Sequence, residues 1–131
     1  MDEKSCEFAS VKYESLCKWK YRLTDKLEMK TSIRGISCKT AYISLWDNGR
    51  LILHKGYAWD GATCCPDVDE IMRGSAGHDA LYQLISLGAI PPSKRFDADF
   101  DLYNWCKQDG MSSMTAEAVL VAVRAFGGLH T

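Results

Sequence analysis

The apolar residues change their period once along this 131-residue chain, near Pro66, and that change limits what the chain can fold into. Before it, apolar and polar positions alternate in short runs; after it, apolar positions recur at spacings of three and four. Strands first and helices afterwards predict an α+β domain. The expected layout is one domain over 1–131, with antiparallel strands and a hairpin in a strand-rich part, 1–60, and three helices in 66–128.

The strongest local signal is the hairpin. Ala41-Tyr-Ile-Ser-Leu-Trp46 runs out, Asp47-Asn48-Gly49 turns on an Asn-Gly pair that tolerates positive φ, and Arg50-Leu-Ile-Leu-His54 returns. Tyr21-Arg-Leu-Thr24 and Lys26-Leu-Glu-Met-Lys30 read as weaker strands about a turn at Asp25, and Gly35 marks a further break. Asp67 or Asp69 is a candidate N-cap for a first helix reaching Leu87, with Gly88 as its stop and Pro91-Pro92 beyond. Its inward stripe reads Ile71, Gly74 or Ser75, His78, Leu81 or Tyr82, and Ile85. A second helix is expected over about Lys94–Gln108, with Asp99, Leu102, Tyr103 and Cys106 on one face. A third is expected over about Ser113–Phe126, burying Ala116, Leu120 and Val123.

Charge excludes one broad class of partner. The chain has 16 Lys+Arg against 17 Asp+Glu with no basic stripe, so no nucleic-acid footprint is expected. No apolar run approaches the roughly 20 residues of a spanning helix. The opening Met1-Asp2-Glu3-Lys4 does not look like a signal peptide, so the chain is expected to stay where it is made. That compartment keeps thiols reduced. Cys6, Cys17, Cys38, Cys64, Cys65 and Cys106 are therefore read as free, without the paired spacing of a zinc site.

Two polar residues stand where helix stripes call for apolar ones. His78 lies on the stripe of the first long helix and Asp99 on that of the second, and two such helices joined by a short connection pack antiparallel. The two side chains can then meet across the seam, as a catalytic pair or as a polar contact that holds the helices in register. Gly74-Ser75-Ala76-Gly77 costs helix propensity, and a closely approaching neighbour explains it. Asp79, about 100° around the helix from His78, and the turn Gly56-Tyr-Ala-Trp-Asp60-Gly61-Ala-Thr63 offer carboxylate and backbone oxygens of the kind calcium prefers. Asp60 equally serves as a simple turn cap. A mixed His/carboxylate set also suits zinc or manganese.

These stretches carry two resemblances. Gly56-Tyr-Ala-Trp-Asp-Gly-Ala-Thr63, Arg73-Gly-Ser-Ala-Gly-His-Asp-Ala-Leu-Tyr82, Arg95-Phe-Asp-Ala-Asp99 and Ala122-Val-Arg-Ala-Phe-Gly127 resemble the phage and prophage family called domain of unknown function 1353. That implies a phage-encoded accessory protein in the host bacterial cytoplasm or the virion. His78-Asp79-x-x-Tyr82 is similar to the active-site helix of secreted and microbial phospholipases A2, with Asp99 following His78 by 21 (99 − 78 = 21) and Asp60 preceding Asp79 by 19 (79 − 60 = 19). The second resemblance implies an ester hydrolase. His78 would activate water, Asp99 would orient it, Tyr82 would bond Asp99, and Asp79, Asp60 and carbonyls near Gly61 would hold calcium. Its substrate would be a lipid or another ester, with Lys94, Arg95 and Trp105 as a candidate collar around the site. The alternative is a non-enzymatic protein, virion-associated or an inhibitor of a host protein, in which the His-Asp cluster is structural.

Overall fold

A computed structural model describes residues 5–8, 11–15, 21–61, 65 and 68–127. The architecture is α+β. Antiparallel strands come first, in two four-stranded sheets, and three α-helices follow.

The first sheet runs β1 (Ser5–Phe8), β2 (Val11–Ser15), β3 (Tyr21–Leu23) and β8 (Ala58–Trp59). The second has the order β4-β7-β6-β5, from β4 (Leu27–Lys30), β5 (Cys38–Lys39), β6 (Ile43–Leu45) and β7 (Arg50–Leu53). The expected hairpin is β6–β7, with Leu45 opposite Leu51 and a turn closed by Gly49 N–H donating to the Trp46 carbonyl. Gly49 has φ of +93°, a left-handed conformation that a side chain would strain. All three residues of β6 are buried, because a strand paired on both edges and covered on both faces loses the alternation of a half-exposed one. Leu27, Met29, Leu51 and Leu53 turn inward from β4 and β7, against α1 (Asp69–Ser86) and Trp105 of α2 (Arg95–Gln108).

α1 begins one residue later than the earlier cap candidate: Val68 is its N-cap, without a side-chain cap, and Asp69 is already helical. Asp67 lies outside the described residues. The C-terminus follows expectation. Ala89 N–H donates to the Leu84 carbonyl and Gly88 N–H to that of Ile85, with Gly88 at φ +82°, the paired bonds that close a helix on a left-handed glycine. α2 ends in the same way around Gly110, after a 3₁₀ turn (Pro92–Lys94) leads into its start. α3 (Ser113–Gly127) buries Ala116, Val119 and Val123; Leu120, expected inward, is only half-buried because the buried stripe runs through Val119 instead.

The small residues of α1 are explained by close approach. A Cβ at Gly74 would lie 2.8 Å from Leu102, and one at Gly77 would lie 2.7 Å from the Met29 thioether and 2.9 Å from the Trp105 ring. α2 and the second sheet thus reach the backbone of α1, bringing its inner face to the level of the strands. Gly77→Val should cost about 3 kcal/mol or more, since the indole ring cannot yield as a methionine terminus can and a β-branched residue adds overpacking. Urea denaturation measures this; a loss under about 1 kcal/mol would mean the seam has slack.

The α1–α2 seam is pinned at its far end by Arg73, which donates from Nε and Nη2 to Asp109 at 3.0 to 3.2 Å and from Nη2 to Gln108. Asp101 ties α2 to the strand side by accepting from the Ser32 backbone N–H at 3.0 Å and from its hydroxyl. Cys38 and Cys106 are free thiols, and burial pushes the Cys106 thiol up to about 12, far from its reactive form. No helix among the described residues is long and apolar enough to cross a membrane.

Candidate functional site

His78 and Asp99 meet across the seam. His78 Nε2 lies 2.7 Å from Asp99 Oδ1, the Tyr82 hydroxyl donates to the same oxygen at 2.7 Å, and Arg124 Nη1 of α3 donates to Oδ2 at 2.8 Å. Three helices therefore converge on one carboxylate that has no solvent exposure. The His78 ring lies against Tyr82 in a tilted contact, with centroids 4.4 Å apart. It remains partly exposed, at 16% of its side chain. With Nε2 engaged, Nδ1 makes no hydrogen bond among the described residues. Such a ring is oriented by a buried acid and still reachable from outside.

Burial pushes the Asp99 carboxyl up, but donors from His78, Tyr82 and Arg124 outweigh it and hold the group below the usual carboxylate range. A carboxylate depressed in the folded state stabilises it fully above its unfolded value near 3.8, and loses that contribution as pH falls through the folded value. Wild type should therefore lose stability on acidification below about pH 4, more steeply than Asp99→Asn. Denaturant midpoints measured stepwise down that range check it; parallel curves would count against it. Tyr82 is also raised, first by burial and then by the Asp99 charge, so it stays a neutral donor.

The second acid belongs to a separate arrangement. Asp79 Oδ2 accepts from the Tyr57 hydroxyl at 3.1 Å and, at a longer 3.4 Å, from the Gln83 side-chain amide. Burial raises the Asp79 carboxyl and the nearby Asp60 charge raises it further, while Tyr57 and the His78 charge pull it down. Tyr57 is buried at the start of β8, and burial beside Asp79 raises its hydroxyl strongly. Asp60 is exposed just after β8 and Gly61 is buried behind it. The stretch read as one loop thus holds a turn at Gly56 and a short strand, because Ala58 and Trp59 pair with Arg22 and Tyr21 of β3; Ala62 and Thr63 lie outside the described residues.

Among the described residues, no three His, Cys, Asp or Glu side chains gather as metal ligands. The Asp60 charge reaches the Asp79 carboxyl, so an ion held by these two would complete its shell with backbone oxygen and water. That donor set fits calcium in kind. A zinc or manganese ion held through Nε2 of His78 would have to displace Asp99.

Two residues of this region carried no role in the sequence reading. Tyr57 and Arg124 both lie inside the sequence stretches already quoted around Asp60, His78 and Gly127, and that position was the only signal available. Trp105, read as part of a surface collar, is instead a core residue, 2% exposed, whose indole N–H donates to the Lys30 carbonyl at 3.1 Å. The exposed aromatics of α2 are Phe96 and Phe100, stacked on each other and continued by Tyr103. These three share one face of α2 and Trp105 lies on the opposite face, and only the packing of the sheet shows which face is covered.

The molecule is an α+β fold whose helical half carries a His-Asp-Tyr cluster with an arginine from a third helix. Comparisons with protein-family models, curated proteins and solved structures find no match to this chain.

Proposed function

We propose that this is a phage-encoded accessory protein with ester hydrolase chemistry at His78. The observation that supports it is the 2.7 Å contact of a partly exposed His78 ring with a buried, three-fold hydrogen-bonded Asp99. A purely structural histidine has no need to keep its ring partly exposed. Nε2–H donates to Asp99, which leaves Nδ1 as the base. Nδ1 takes a proton from water as its oxygen adds to the ester carbonyl carbon, and Asp99 stabilises the imidazolium so formed. The imidazolium then returns that proton to the departing alcohol oxygen as the C–O bond breaks. Products are one acid and one alcohol.

Asp79 and Asp60, with carbonyl oxygen near Gly61, would hold calcium, which when bound supplies polarisation of the ester carbonyl and charge for its oxyanion. The Asp60 charge acting on the buried Asp79 carboxyl supports this assignment. Because the folded Asp79 pKa is raised, stability falls as pH rises above the unfolded value near 3.8, and the loss is complete once pH passes the folded value. Asp79→Asn should therefore be slightly more stable than wild type at neutral pH while losing calcium binding; calorimetry with denaturation tests both, and unchanged calcium binding would remove Asp79 from the site.

The direct test is hydrolysis over a panel of soluble esters and phospholipid vesicles, with calcium and with chelator. Calcium-stimulated release of acid is the expected result, and absence of turnover across the panel overturns the reading. A second reading, a non-enzymatic virion-associated or host-binding protein, draws on the exposed Phe96–Phe100–Tyr103 stack. It is the one to keep if no ester is cleaved and His78→Ala changes stability alone.

A further inference from the structure

One turn before Asp99, α2 carries a cation with an unsatisfied donor. Arg95 precedes Asp99 by four positions, so both side chains leave the same face of the helix. Arg95 Nε is sealed from solvent and meets no acceptor among the described residues. A buried charged donor without a partner is costly, and native structures keep such groups where something else supplies the acceptor. Neighbouring acids do not serve. Asp99 already takes donors from His78, Tyr82 and Arg124, and Asp97 lies 3.8 Å from Lys94 on the surface.

Arg124 approaches from α3. One Nη1 is on Asp99, its guanidinium lies 5.0 Å above the Phe96 ring, and 38% of the side chain is exposed, so the rest of its fork is open to a ligand. The charges of Arg95 and Arg124 both reach the hydroxyl of Tyr82, whose ring lies against that of His78. Two guanidinium groups thus flank the same aromatic pair, one with an open fork and one with a buried orphan donor. Planar guanidinium groups bind phosphate and carboxylate oxygens through paired charge-assisted hydrogen bonds.

We infer that Arg95 and Arg124 form an oxyanion-recognition pair beside His78, taking a phosphate or carboxylate carried by the substrate next to its ester. This rests on the hydrolase reading for its meaning, since the anion is then what orients the ester against Nδ1. Anion binding itself is measurable without turnover.

The full chain is titrated with sodium phosphate and, separately, sodium acetate, while the His78 ring resonances are followed by NMR, assigned against His78→Gln. A saturable shift is expected, weakened about tenfold or more by Arg95→Met and by Arg124→Lys, the loss due to one charge-assisted bond. If Arg95→Met does not fold, Arg95→Lys keeps the charge and removes the Nε donor. Preference for phosphate identifies a tetrahedral anion, preference for acetate a planar one. No saturable shift with either anion, or a shift that the Arg95 variant leaves unchanged, overturns the inference. Arginine-dependent binding in a protein that cleaves no ester keeps the anion site and removes the hydrolase. Equal kcat/KM on matched neutral and anionic esters keeps the hydrolase and removes the anion site.

Discussion

Asp99→Asn is expected to lower kcat/KM for ester hydrolysis by roughly three to four orders of magnitude while the protein stays folded. The amide has the shape of the carboxylate and can still accept from His78 Nε2 and Tyr82, so packing is nearly unchanged. What it lacks is the charge. As His78 takes the proton of water, the ring becomes cationic, and only an anionic partner strengthens its hydrogen bond at that moment. The amide can also turn its NH₂ toward Nε2, which then holds the wrong tautomer and leaves Nδ1 protonated. Arg124 would face the same amide without its counter-charge, but it is half exposed and water can take the vacated position. The stability loss should therefore stay at about 1 to 3 kcal/mol. The measurement is kcat/KM on the best substrate of the panel, beside circular dichroism and a urea midpoint. Activity within a few-fold of wild type, in a folded variant, would remove Asp99 from the chemistry, and His78→Ala should then also be harmless to rate.

Trp105→Ala is expected to destabilise the fold by about 3 to 5 kcal/mol, a large part of what a domain of this size has. The indole is buried where α2 crosses both α1 and β4, fills the space above Gly77, and donates its N–H to the Lys30 carbonyl. Truncation leaves a cavity and an unpaired carbonyl on the strand. The consequence reaches the site, because the seam that Trp105 fills is the one that sets His78 against Asp99. Equilibrium urea unfolding gives the stability change. A loss of only about 1 kcal/mol would show that the seam closes over the cavity, and ester hydrolysis should then survive.

The sequence made part of this arrangement legible. The Asn-Gly turn and the alternation around it identify β6–β7, since a short loop with positive φ depends on residues next to one another. Gly88 stops α1 for the same local reason. The meeting of His78 with Asp99 was readable because two amphipathic helices each placed a polar residue on an apolar stripe, and a short connection leaves them antiparallel. The run Gly74 to Gly77 indicated a close neighbour, though not that the neighbours would be Met29 and Trp105. Trp105 itself was misplaced: helical spacing alone does not say which side of a wide apolar face is covered. Leu120 was misjudged for the same reason.

By itself, then, the sequence determined the α+β class, the element order, the hairpin, the helix stops and the pairing of one histidine with one acid. All of these depend on residues close in the chain or on the periodicity of a single element. Only the tertiary structure decided that the strands form two sheets, that Ala58–Trp59 pairs with β3, and that Asp79 faces Tyr57 while Asp99 gathers three donors from α1 and α3. The roles of Arg124 and Arg95 depend on how α3 docks and on which donors remain unpaired after packing. Those are properties of contacts between distant segments, where geometry and desolvation act together, and no local pattern encodes them.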